Sequence, residues 1–439
     1  MEQEKGNRKV ITAWTFYDWA NSVYNLVITA TILPIYYKAI TITKNADGDE
    51  VSDLVIFLGF QIKNTTLYDY ALAFANLMVA ILIPILSGVA DYGSNKKKFM
   101  QFFCYLGAIS CSLMYFFTKD NLVFGITLVV LACIGFWASL VFYNAFLPEI
   151  AHPDEQDKVS AKGFAMGYIG SSILLILNLM MVQKPEWFGI VDPAMATRIS
   201  FVTVGVWWIA FAQIPFAFLP EKSSQNRFSG NILFKGYREL LVVWSELKRN
   251  KNLKRYLLSF FVYNMGVQTV LLVATLFGAS EIKMETGQLI ITILIIQFVA
   301  MIGAYLFSYI SQKIGNILTL MLAVVIWIAA CIGTYFFCYS ANEFFIVAGV
   351  VGLVMGGIQS LSRSTYSKML PETNDHASYF SFYDVTEKIC IVCGMATFGI
   401  INEYSTGMRK PIILLIVFFV VGLLLLMRVS QSAPKKSQH

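Results

Sequence analysis

The sequence predicts an all-α polytopic membrane protein whose twelve transmembrane helices form two pseudo-symmetric six-helix bundles. Three observations carry this. Of 439 residues, 57% are hydrophobic and only 14% charged, with a mean hydropathy of +0.63; ordinary globular chains are about one quarter charged. Apolar runs near the roughly 20-residue length that crosses a bilayer recur along the whole chain. Short motifs also recur, in the same order, in its two halves. Continuous apolarity without period-two alternation selects helices over a β-barrel.

The spans are expected at 12–38, 68–90, 99–118, 121–147, 160–182, 199–219, 256–279, 287–311, 316–338, 343–368, 378–401 and 410–428. The polar first nine residues, followed by a run too long for a signal h-region, predict no cleaved signal peptide. An even number of spans places both termini on one side. With the termini and even-numbered connections on that side, 23 of the 33 Lys and Arg residues lie there and 9 lie opposite. This asymmetry assigns both termini to the cytoplasm. The net charge of +6 therefore reports topology rather than nucleic-acid binding.

The connection 220–255 separates an N-terminal bundle, 1–219, from a C-terminal bundle and short tail, 256–439. Within it "YRELLVVWSELKRN" has the pattern of an amphipathic helix on the inner surface. The longest outer connection, 39–67, holds an Asp47-Gly48 turn between β-prone runs, which predicts a short hairpin. Its Asp47, Asp49 and Glu50 are too few for a calcium loop. The seven cysteines lie in apolar segments, where Cys behaves as a small hydrophobe. Cys390 and Cys393 form a single CxxC with no second pair, and the three histidines are scattered, so no metal or cofactor site is expected.

Three echoes indicate duplication. "FLPE" at 146–149 answers to "MLPE" at 369–372; "ADYGSNKK" after the second span answers to "SQKIGN" after the eighth; "VYN" at 23–25 recurs at 262–264. The last pair is the farthest apart, as the extra length of the 39–67 loop requires. Duplicated halves enclosing a pocket are the architecture of secondary transporters.

The polar residues inside the spans are the candidate site. Asp18, Asn21, Ser22 and Asn25 recur at i, i+3, i+4 and i+7, one polar stripe on an apolar cylinder. A carboxylate at the centre of a membrane helix costs on the order of 3 kcal/mol on insertion scales, so the stripe faces the bundle interior or a wet cavity. Two roles fit: contact with a solute or gate, or hydrogen bonding between helices. Asp384 and Lys388, at i and i+4, suit a self-neutralising pair, or Lys388 reaches a solute carboxylate; Glu387 is left over. Arg363 is either a snorkelling cation or an anion contact. Tyr24, Asn144, Asn264, Gln268 and Gln359 complete the candidates for solute or coupling contact. Asp91, Lys96, Lys97, Glu149 and Glu372, at the inner ends, are candidates for a gate. Asp91 could sit against the positive N-terminal end of a neighbouring helix, with Gly93 permitting a tight turn, or simply cap its own helix in water. Gly163-Gly167 and Gly352-Gly356 are pairs that allow close helix contact.

"SGVADYGSNKKK" resembles the loop between the second and third helices of the major facilitator superfamily, although Gly88 and Gly93 are each one place off the usual spacing. "YDWANS", "FYNAFLPEIAHPDEQDKVSAKGFAMGYIG" and "GGIQSLSRSTYSKMLPE" together resemble its vacuole-effluxer-like branch, which includes fungal vacuolar amino-acid exporters and bacterial relatives. The resemblance implies a major facilitator fold and secondary transport of a small polar solute by alternating access. A monomer in a lipid bilayer, here a bacterial cytoplasmic membrane, is expected, and among the intramembrane acids Asp18, Glu387 or Asp384 could carry a coupling proton. An enzyme would need a nucleophile–base pair or metal cluster in the spans, and none is present. A receptor or scaffold would be expected to carry a sizeable soluble domain, and ATP-driven transport a Walker motif.

Overall fold

The computed structural model describes residues 5–44, 50–93, 95–221, 232–405 and 407–430. In it, long helices run between two faces of the protein. The N-terminal half contains α1 (Arg8–Thr41), α2 (Asn64–Tyr92), α3 (Lys96–Phe116), α4 (Lys119–Ile150), α5 (Gln156–Gln183) and α6 (Pro193–Phe218). After α7 (Ile232–Arg249), the C-terminal half contains α8 (Lys251–Ser280), α9 (Thr286–Ile314), α10 (Asn316–Phe337), α11 (Ala341–Met369), α12 (His376–Glu403) and α13 (Ile412–Leu426). Ten of these are long and apolar enough to cross a membrane. The others are α7, α12, whose Asp384, Glu387 and Lys388 lower its hydropathy, and α13, an apolar helix of 15 residues. Most helices run a few residues beyond the expected apolar spans because capping groups extend them into the polar ends. Asn7 accepts from the Lys9 amide, Asn250 from that of Leu253, and Ser340 with Glu343 forms a capping box.

The first helix departs from expectation. From Tyr24 to Ile32 it is a π-helix, and the Thr31 hydroxyl donates to the Leu26 carbonyl at 2.8 Å. The expected i, i+7 stripe assumed uninterrupted α geometry. Asp18 and Asn21 are buried, Ser22 is half-buried and Asn25 is exposed, so the stripe does not stay together through the wider turn.

Glycine sets the closest approaches. A Cβ on Gly352 or Gly356 of α11 would run into the backbone of Ile296 or Ala300 on α9, so these helices touch almost main chain to main chain. On the face carrying residues 91–98, 149–158, 249–255, 313–316 and 368–376, hereafter the basic face, Gly315 at φ +86° turns the chain between α9 and α10. Gly93 adopts an ordinary right-handed φ of −88°; the turn after α2 does not use its freedom.

On the opposite face, two small hairpins follow α1. β1 (Thr43–Lys44) pairs antiparallel with β2 (Glu50–Ser52), and β3 (Leu54–Phe57) with β4 (Phe60–Lys63). The expected Asp47-Gly48 turn lies outside the described residues. The second hairpin turns at Leu58 and Gly59, both with positive φ. The amphipathic helix α7 is seated on protein: it packs mainly on α2, buries Val243 and Leu247, and stacks Trp244 on Phe382 of α12 at 5.5 Å.

Candidate transport site

Three polar clusters join the halves or lie between them. The first is centred on Asp18. Trp14 and Asp18 share one face of α1, and Gly163 of α5 leaves room for Asp18 and its partners Arg363 and Tyr143. A Cβ there would stand 2.5 Å from Asp18 Oδ2 and 3.0 Å from Arg363 Nη2. Arg363, from α11 in the other half, is buried and places Nη1 and Nη2 each 3.2 Å from Asp18 Oδ2. Its remaining donors reach Ser160 Oγ and the Ser160 carbonyl, both at 2.9 Å, and Asn144 Oδ1 at 3.3 Å. The Tyr143 hydroxyl donates to Asp18 Oδ2 at 2.8 Å, and the guanidinium lies over the rings of Phe164 and Trp14, 4.2 and 4.9 Å from their centroids. Charge pairing, full use of the donor fork and cation–π contact together compensate the desolvation of a buried arginine. One level farther from the basic face, Tyr168 donates to Gln359 Oε1 at 2.6 Å, again across the halves.

The second cluster closes the basic face. Asp91, at the end of α2, accepts from the backbone amides of Ala377 (3.3 Å) and Ser378 (2.7 Å), at the N-terminus of α12. Those amides lack intrahelical acceptors, and the helix dipole favours a negative charge there. Lys96 pairs with Glu149 and stands 3.8 Å from Asp91; Glu149 also accepts from His376 Nδ1 at 3.0 Å. On the other side of the pseudo-twofold, Asp157 in the first turn of α5 is buried. It receives Lys368 at 2.6 Å, Asn316 at 2.7 Å and Ser311 at 3.0 Å. Each junction thus joins the end of one half's second helix to the start of the other half's fifth helix, and the N-terminal half supplies both carboxylates: Asp91 from the end of its second helix and Asp157 from the start of its fifth.

The third cluster belongs to α12. Lys388 Nζ is 3.4 Å from Asp384 Oδ1 and lies 2.9 Å from the ring centroid of Trp137 on α4. Asp384 Oδ2 and Lys388 Nζ are buried without a hydrogen-bond partner, as is Asn264 Nδ2 on α8. Glu387 is half-buried and accepts from Gln268 Nε2 at 2.8 Å.

The structure thus brings together Asp18, Asn144 and Arg363; Asp91, Lys96 and Glu149; and Asp384, Lys388, Glu387 and Gln268. Arg363 does not snorkel, because its carboxylate partner is inside the protein. Tyr24 packs against Phe136 and Trp208, 4.9 and 5.9 Å between centroids, within the N-terminal half. Asn21 is buried with Nδ2 unpartnered, Lys97 donates to the Leu219 carbonyl at 3.1 Å, and Glu372 is exposed at the basic face. Sequence reasoning missed Asp157, Ser160, Tyr143 and Trp137. Asp157 stands in the motif "PDEQDKV" and was legible as a first-turn acid; the others look like packing residues until their partners are known.

The fold is that of a major facilitator transporter, which is not an enzyme. Human organic anion transporter MFSD10 superimposes with a TM-score of 0.72 at 11% identity, covering 96% of this chain and 100% of that one. The outward conformation of the transporter FucP gives 0.67 at 14%, covering 97% and 99%. Residues 6–439 match the family described as vacuole effluxer Atg22 like, and the chain belongs to that family. Among curated relatives, an uncharacterized MFS-type transporter, YxiO of Bacillus subtilis, is 28% identical over 94% of this chain and 93% of its own. Autophagy-related protein 22 of Kluyveromyces lactis is 24% identical over 96% and 93%. The protein is a multi-pass membrane transporter.

Proposed function

We propose that this chain is a secondary active transporter that moves a small polar solute, an amino acid or similar, by rocker-switch alternating access. The bundles 1–219 and 256–439 rock about the linker 220–255. The observation that carries this reading is the buried Asp18–Arg363 pair, which spans the two halves where an alternating-access machine needs a contact that forms in one state and breaks in the other. Asp91 on the α12 N-terminus and Asp157 on Lys368 are the latches of the same state. The basic face is cytoplasmic, the membrane is a bacterial cytoplasmic membrane, and the unit is a monomer. Support for the solute class comes from an interior whose acids and bases are largely paired, which suits a neutral or zwitterionic solute. The test is counterflow of labelled amino acids, sugars and nucleosides in proteoliposomes, preceded by a thermal-shift screen, since a ligand that binds only the folded state raises its melting temperature. Counterflow of an amino acid supports the reading; movement of a sugar alone replaces the solute class, and movement of none in folded protein overturns transport.

A further inference from the structure

We infer that Glu387 with Gln268 is a proton-binding site that sets which face of the transporter is open, an inference resting on the alternating-access reading above. Three acids lie within the helices that could carry a coupling proton, and their surroundings differ. Asp18 is neutralised by Arg363 across the halves and receives the Tyr143 hydroxyl as well. Asp384 is paired with Lys388 one turn away. Glu387 forms no ion pair among the described residues; its hydrogen-bond donor is the neutral carboxamide of Gln268 at 2.8 Å. The turn 384–388 of α12 therefore holds two carboxylates against one ammonium, and one ammonium cannot compensate both. The uncompensated charge falls to Glu387, because Lys388 is directed at Asp384 and at the indole of Trp137. A charge of this kind within a membrane helix is neutralised by a bound cation or proton.

Access fits the same assignment. Asp384 and Lys388 are buried, whereas Glu387 and Gln268 are half-buried, so the acid outside the ion pair is also the more accessible of the two. The groups that face it are Asp384, Lys388, Tyr383 and Cys390 on α12. From α8 comes Gln268, with Asn264 beside Cys390 and Tyr263 beside Tyr383, and from α4 Trp137 and Cys133, beside Lys388. The acids of α2 lie elsewhere: Asp91 meets α12 at Ala377 and Ser378, more than two turns nearer the basic face, and Asp69 is in the second turn of α2, toward the opposite face. Binding adds one proton to a Glu387 oxygen from the water of one side, and release returns it to the other. Because Glu387 and Gln268 tie α12 to α8 within one half, while Lys388 reaches Trp137 in the other, a change of charge at Glu387 alters the field on the contact between halves.

The test needs no identified solute. Spin labels at Lys98 and Lys313, both exposed on the basic face of opposite halves, report the opening of that face in the full chain reconstituted in liposomes. One linked proton changes a two-state population by up to about tenfold per pH unit. The wild-type distance distribution is expected to change with pH, and to do so equally when sodium is replaced by choline. Glu387→Gln should hold the low-pH distribution at every pH, and Glu387→Asp should restore a titration. A Glu387→Gln protein that titrates like wild type, a wild-type distribution flat with pH, or a titration that requires sodium each overturns the proton site. Solute counterflow in the same liposomes separates the two readings. A wild type that exchanges solute but does not titrate loses only the proton site, and one that titrates but moves no solute loses only the transport reading.

Discussion

Arg363 places two guanidinium nitrogens 3.2 Å from one oxygen of Asp18, 345 residues away in sequence and in the opposite half of the molecule. Removing one partner of a buried ion pair leaves the other uncompensated, typically at a cost of about 3–5 kcal/mol, whereas removing both costs much less. Asp18→Asn keeps the shape and the Tyr143 hydrogen bond but discards the charge. It is expected to fold, to favour the state open at the basic face, and to lose most of its transport. Distance measurements across that face check the shift, and normal uptake with an unshifted distribution would reduce Asp18 to packing.

Gly163 offers an independent route to the same pair. A methyl group there would press on Asp18 Oδ2, Arg363 Nη2 and the Tyr143 hydroxyl, an overpacking that typically costs about 1–3 kcal/mol. Gly163→Ala should therefore lower the melting temperature and weaken closure of the basic face, in the direction of Asp18→Asn. Gly349, in α11 with nothing near its missing Cβ, is the control: Gly349→Ala should be neutral or slightly stabilising. Equal effects at the two positions would rule out a steric origin.

Asp91 acts through a helix end. Its carboxylate accepts from both the Ala377 and Ser378 amides, a geometry worth about 0.3–1 kcal/mol at exposed helix ends and up to about 2 when partly buried. Asp91→Asn retains one acceptor oxygen without the charge. Expression should be near normal and initial transport rates several-fold lower. An unchanged rate would leave Asp91 as a structural cap.

The α12 cluster makes a prediction about stability alone. Lys388→Met leaves Asp384 and Glu387 side by side without an ammonium, and should lower the melting temperature markedly. Adding Asp384→Asn to it should recover part of the loss, because the double change removes the uncompensated charge. Additive losses in the double variant would show that the two side chains do not interact.

Orientation is tested by labelling. Cysteine introduced at Lys313, exposed on the basic face, should react with a membrane-impermeant maleimide only from the cytoplasm. Cysteine at Val191, 97% exposed between α5 and α6, should react only from outside. Labelling of both from one side would overturn the assignment drawn from the basic residues.

The membrane character and the helical spans were determined by the sequence alone, because insertion depends on local apolarity and length and needs no coordinates to read. The polar residues at the core of the machine were legible as misfits: Asp18, Arg363, Asp384, Glu387 and Lys388 each stand where an apolar neighbour would cost less. Their partners were not legible. That Arg363 answers Asp18, that Asp91 meets a helix N-terminus some 286 positions on, and that Asp157 is shared by Lys368, Asn316 and Ser311 all follow from how two bundles pack. Charge pairing across such distances carries no periodicity along the chain. The π-helix at Tyr24–Ile32 was hidden for a related reason. Hydrogen-bond register within a helix is decided by what the widened turn packs against, so only the tertiary structure could separate Asn25 from Asp18 and leave Glu387 as the acid without a counter-ion.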